Sequence, residues 1–104
     1  YIMKVVQLYL TWNRANKRMD FIKKETTDIY DDGDRYVVNG WDVFKDNIGE
    51  IIKSDGQYLV NLINPDKDKI KEVTDYMISE MRKEIKEVIK VYENLIQSLD
   101  ELKK

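Results

Sequence analysis

The sequence predicts an α+β chain. A long helix over residues 1–30 leads into a small antiparallel β-meander of two hairpins over 35–63, and a long C-terminal helix over 65–103 completes it. Three observations predict it. Apolar residues from Ile78 to Leu102 recur at alternating intervals of three and four. Asn39-Gly40 sits between two runs of β-formers, and Asn64-Pro65-Asp66 separates the meander from the last helix.

The first helix rests on Tyr1, Val5, Leu8, Trp12, Ala15, Met19, Ile22, Thr26 and Ile29, spaced by four and three, with only Thr26 interrupting the apolar face. A strand over residues 3–12 is the alternative. Val6, Leu8, Leu10 and Trp12 alternate there in a β-branched and aromatic run. Asn13 would then cap a shorter helix. Asp31-Asp32-Gly33-Asp34 ends the element with turn formers and a glycine free to take positive φ.

In the middle third, Asn39-Gly40 marks a two-residue hairpin with a type I′ turn. That turn pairs Val38 with Trp41 and Tyr36 with Val43, which puts all four on one face, toward a core. A second hairpin is expected from Ile48–Lys53 and Gln57–Ile63 around a three-residue Ser54-Asp55-Gly56 loop. Its rival is a short helix over 43–54 using Phe44, Ile48, Ile51 and Ile52.

The C-terminal helix carries the strongest pattern. Ile78, Met81, Ile85, Val88, Tyr92, Leu95, Leu99 and Leu102 form a coiled-coil-like heptad seam. Ile89 and Ile96 widen it to three apolar positions per heptad, which suits more than two helices, or a helix and a sheet. From Pro65 to the end such a helix is roughly 60 Å long. That is too long for one face of a compact domain of 104 residues, so the chain is elongated, oligomeric, or both. The expected order of elements resembles that of prefoldin subunits, in which two coiled-coil helices flank β-hairpins. The resemblance lies in that order, and no residue motif carries it.

Composition narrows the function. A hydrophobic fraction of 42% is globular, and a charged fraction of 37% suits long solvated helix faces. The net charge of −2 exerts no global pull on nucleic acid or an anionic membrane. With no cysteine and no histidine, disulfides, thiolate nucleophiles, Cys/His zinc sites and an imidazole base are all excluded. No run reaches the ~20 apolar residues of a membrane span. The absence of cysteine permits a reducing cytosol, and a cytoplasmic location is the expectation. The sequence starts with Tyr1, which leaves room for a preceding segment, a targeting one included.

Several side-chain groups are candidate sites. Arg14, Lys17 and Arg18, with Lys23 and Lys24 nearby, would share one helix face and could meet phosphates. Asp28, Asp31, Asp32 and Asp34 cluster on a turn but miss the alternation of a calcium loop. Trp41 and Tyr36 flank the hairpin turn, where exposed aromatics could anchor a partner. Ser54, Ser79 and Ser98 have no partner motif, and Glu80 and Glu84 lie at ordinary helical spacing.

The expectation is a non-enzymatic protein-interaction or assembly module acting through helical packing, with no cofactor, no metal and no catalytic residue. Its partner would be a second copy in a homo-oligomer, another protein, or both. An acidic inhibitor or adaptor is one form of that class. A nucleic-acid-binding regulator using Arg14, Lys17 and Arg18 is the alternative.

Overall fold

The structure is a computed structural model that describes residues 3–103. Its elements are β1 (Val5–Asn13), β2 (Arg18–Thr26), β3 (Ile29–Asp31), β4 (Arg35–Val38), β5 (Trp41–Phe44), a 3-10 turn (Lys45–Asn47), β6 (Ile52–Ser54), β7 (Gln57–Ile63) and α1 (Lys67–Glu101). They form two antiparallel sheets, one ordered β2-β1-β7-β6 and one ordered β3-β4-β5, and a single long C-terminal helix.

The expected helix over residues 1–30 is instead a β-hairpin with a short strand after it; its first apolar position, Tyr1, lies outside the described residues. β1 is one of the two inner strands of the larger sheet, beside β7, and the strand alternative holds for it. Val6, Leu8 and Leu10 are buried against the helix, while Val5 is buried on the opposite face. β2 pairs with β1 from Val5↔Thr26 to Asn13↔Arg18 and forms the sheet's edge. Its Arg, Met and Lys residues favour helix locally, but the ladder with β1 overrides that weak preference. Asn13 shapes the connecting loop: its Oδ1 accepts from the Asn16 N–H at 3.0 Å and its Nδ2 donates to Asp20 at 2.9 Å. Lys17 then takes a positive φ of 55°. The likeness to the prefoldin order requires a helix here and falls with it.

Asn39 and Gly40 both have positive φ, 52° and 85°, as a type I′ turn demands. The pairs Val38–Trp41 and Tyr36–Val43 form as expected. Val38 and Val43 enter a small core with Val5, but Trp41 is 73% exposed, because the short second sheet covers only one end of the larger one. In the second hairpin Ser54 faces Gln57, so the loop is the two residues Asp55-Gly56 and not three. β6 is correspondingly short, and of the rival helix only the 3-10 turn forms.

Asn64, at a φ of 46°, turns the chain back. Its Oδ1 accepts from the Lys4 N–H at 2.8 Å, and Asp66 then caps α1 by accepting from the Lys69 N–H at 2.7 Å. α1 lays Val73, Met77 and Met81 over Val6, Leu8, Leu10, Tyr58, Val60 and Leu62. The result is long and thin, 70 × 26 × 25 Å, with a radius of gyration of 18.4 Å. A compact chain of this length would have ~13 Å.

The turn gives a first prediction. No atom lies within 4 Å of a Cβ placed on Gly40, so Gly40→Val acts through backbone strain alone. It should lower unfolding free energy by more than about 1 kcal/mol in a urea titration. An unchanged midpoint would contradict the I′ geometry.

Candidate functional site

The helix is tied down most firmly near its middle. The Tyr58 hydroxyl donates to Glu84 Oε2 at 2.9 Å, with the Glu80 carbonyl 3.3 Å away, and the Gly56 N–H donates to Glu84 Oε1 at 3.4 Å. Lys53 and Tyr76 both reach the Glu80 carboxylate, at 3.3 and 2.8 Å, and their hydrogen bonds hold it below its usual range, Tyr76 most strongly. Glu80 and Glu84, a carboxylate pair by their spacing, therefore serve as anchors. Past Glu84, roughly 25 Å of α1 runs beyond the β6–β7 turn.

The seam divides at that point. Met81 is buried, and Ile85 and Val88 are half-buried. Tyr92, Leu95, Leu99 and Leu102 are 54–80% exposed. Ile78 stands at the flank of the packed face, 39% exposed. The packed stripe is instead Ile70, Val73, Met77 and Met81, joined by Ile85. Val73 and Met77 lie outside the seam expected from the sequence, although each stands four residues from the next buried position. On the projecting end, Ile89, Val91, Tyr92, Leu95, Ile96, Leu99 and Leu102 are all exposed. They stand 48–80% exposed within one stretch of helix, a contiguous run unlike the singly scattered apolar residues of an ordinary surface.

Charge is polarised along the same helix. Arg82, Lys83, Lys86 and Lys90 fall between residues 82 and 90, against Glu84 and Glu87. From 91 to 102 the charges are Glu93, Asp100 and Glu101, with no base among them; Lys103 and Lys104 follow them in the sequence.

The other candidates are dispersed or engaged. Arg14, Lys17 and Arg18 share no helix face. They sit at the tip of the β1–β2 hairpin, Arg18 as the first residue of β2. Arg14 pairs with Asp55 at 3.3 Å and lies 4.8 Å over the Trp12 ring, and Arg18 pairs with Asp20 at 3.0 Å. Among the acidic residues, Asp31 bonds Lys45 at 2.9 Å and Asp34 bonds Arg35 at 3.0 Å, and each carboxyl is held below its usual range by that bond. No group of three or more potential metal ligands occurs among the described residues. No described helix is long and apolar enough to cross a membrane. Trp41 overhangs a cleft of ≈ 280 Å³ with Gln7, Tyr9, Ile22, Lys24 and Leu59, and Tyr36 lies beneath Lys45 Nζ at 4.8 Å.

No protein-family model, curated protein or solved structure matches the chain.

Tyr58 makes the helix anchor measurable. Burial first, and then the Glu84 carboxylate, push its hydroxyl up to about 12. An unfolded tyrosine ionises near pH ~10. The folded state therefore favours the protonated form, and this stabilisation is whole below pH ~10 and lost as pH rises toward the folded value. Alkaline unfolding followed by circular dichroism should lose stability more steeply above pH ~10 in the parent than in Tyr58→Phe. Parallel curves would mean the hydroxyl is not confined against Glu84.

Proposed function

We propose that the protein is a non-enzymatic interaction and assembly module whose working part is the projecting end of α1. The observation that carries this reading is the run Tyr92, Leu95, Leu99 and Leu102, more than half exposed and in phase with the residues that pack on the sheet. A solvated helix has no need of such a stripe, and solvent exposure of that much apolar surface favours association. Alternating three and four spacing is what a second helix reads, and Ile89 and Ile96 widen the face enough for more than one.

The nucleic-acid reading has less support. Two of its three cations are already ion-paired, and the hairpin tip presents no array that tracks a phosphate backbone.

The reading requires that the projecting stripe not hold this chain's own fold together. Leu95→Asp with Leu99→Asp should shift the thermal midpoint by no more than about 2 °C in dilute solution, near ~1 µM. Met77→Ala, which empties a fully buried site, should cost about 2–5 kcal/mol under the same conditions. Unfolding of the double aspartate variant at that dilution would sink the proposal, since the stripe would then be part of the core.

A further inference from the structure

We infer that the cleft under Trp41 is a binding site for a small aromatic acid: a flat ring system carrying one anionic group, carboxylate or phosphate. It lies on the face of the larger sheet away from α1, so it is independent of the projecting helix. Three observations converge on it.

The first is the position of Trp41. Alternation along β5 turns Trp41 and Val43 to the same side, and Val43 packs with Val5 in the small core. Trp41 therefore faces the larger sheet, yet it is 73% exposed, with the cleft beneath it. The cleft floor is Tyr9, Ile22 and Leu59, which the pairing of β1 with β2 and β7 sets in one row. Its volume of ≈ 280 Å³ is roughly twice the ~150 Å³ that holds a benzene molecule, which is room for two fused rings. An indole above a tyrosine and two aliphatic side chains suits a flat, apolar ring. A sugar would press hydroxyls against Ile22 and Leu59, which offer them no hydrogen bond.

The second is charge. Lys24 lines the same cleft from the next row, and among the described residues it has no ion-pair partner. The neighbouring carboxylate, Glu25, is held by Lys4 and Lys23, each at 3.7 Å. With Gln7 and Trp41, Lys24 also borders an adjoining cleft of ≈ 280 Å³ whose walls include Glu25, Thr26 and Asn39. The ammonium thus stands where an apolar cleft opens into a polar one. An anionic group there, on a ring seated under Trp41, meets a cation without displacing an existing pair. The charge of Glu25 on that side is already offset by its two lysines.

The third is the row itself. Lys24, Gln7 and Asn61 face one another across β2, β1 and β7. The rows on either side are apolar where β1 meets β7, with Tyr9 and Leu59 in one and Val5 and Ile63 in the other. Asn61 is buried, and its Oδ1 has no hydrogen-bond partner among the described residues. A buried acceptor left unpaired is rare and costs stability. A polar row that breaks the packing pattern with no structural return is the mark of a functional surface. Gln7, between the unpaired cation and the unpaired acceptor, lines both clefts and can donate to or accept from a ring substituent.

The test uses the full chain and four probes: naphthoate, its neutral counterpart naphthamide, adenosine monophosphate and adenosine. Binding is read by calorimetry and by the indole N–H resonances of the two tryptophans, with Trp12→Phe assigning that of Trp41. At least one of the two acids should bind with a Kd on the order of 100 µM and shift the Trp41 resonance while leaving that of Trp12 in place. Its neutral counterpart should bind about fivefold more weakly, and Lys24→Gln should remove that difference. Trp41→Ala, at an exposed position, should weaken acid and neutral probe alike by about tenfold with the thermal midpoint unchanged. Tighter binding of adenosine monophosphate than of naphthoate assigns the site to nucleotides, and the reverse order assigns it to aryl carboxylates. A Trp41 resonance that neither acid moves up to ~5 mM overturns the inference. So does neutral probes binding as tightly as the acids, or Lys24→Gln leaving the affinity for the acids unchanged.

Discussion

The nine residues of β1 extend about 30 Å and the 35 residues of α1 roughly 52 Å, and most of the molecule's character comes from that mismatch. The near end of the helix is fixed. Asn64 exchanges backbone and side-chain hydrogen bonds with Lys4, and Asp66 caps the first turn three residues before Lys69. From there the helix runs back along β7 until Tyr58 and Gly56 hold Glu84 at the far end of the hairpin. A helix pinned at both ends of a sheet has no slack in which to shift. Whatever length remains emerges past the turn, in water, with whatever face it already has.

The packed part explains why the sheet is so thinly covered. One helix spans β1 and β7, which supply all the strand residues of the main core. β2 and β6 lie outside it and stay largely exposed. The second sheet covers only the Val5 and Ile63 end of the opposite face, through Val38 and Val43. That leaves Trp41 hanging over Tyr9 and Leu59 and not sealed beneath them. Its exposure is a matter of sheet size, since its pairing register is the one Asn39-Gly40 dictates.

Legibility in the sequence divides along the same lines. Asn39-Gly40 and Asn64-Pro65-Asp66 are local signals that tertiary context has no need to amend, and both turns stand where the sequence puts them. The N-terminal hairpin reads as a helix because β1 is buried on both faces. Val5 belongs to one core and Val6, Leu8 and Leu10 to the other, so alternation is blurred and Val5–Leu8–Trp12 mimics a helical step. β2 deepens the ambiguity, because an exposed edge strand of Arg, Lys and Met carries little β signal. The basic trio fails as a single face for the same reason. The seam residues are visible as a pattern, yet Met81 and Leu99 look alike in it. Only the length of the sheet decides that one is buried and the other is in solvent.

That likeness is the strongest argument for treating fold and association as one continuous packing problem. Residues 77, 81, 85, 88, 92, 95 and 99 keep one periodicity with no change of phase where the sheet ends. Had the projecting end been selected only to stay soluble, the apolar stripe would stop near Ile85 and give way to polar residues. Instead Leu, Ile and Tyr continue for about four more turns. The face they share meets β1 and β7 in its first half and stays exposed among the described residues in its second. Val88, half-buried, is the residue at which the packed part of the stripe gives way to the exposed part. On the proposed reading, a partner taking up the stripe there would extend the existing core along the helix without disturbing any contact already made.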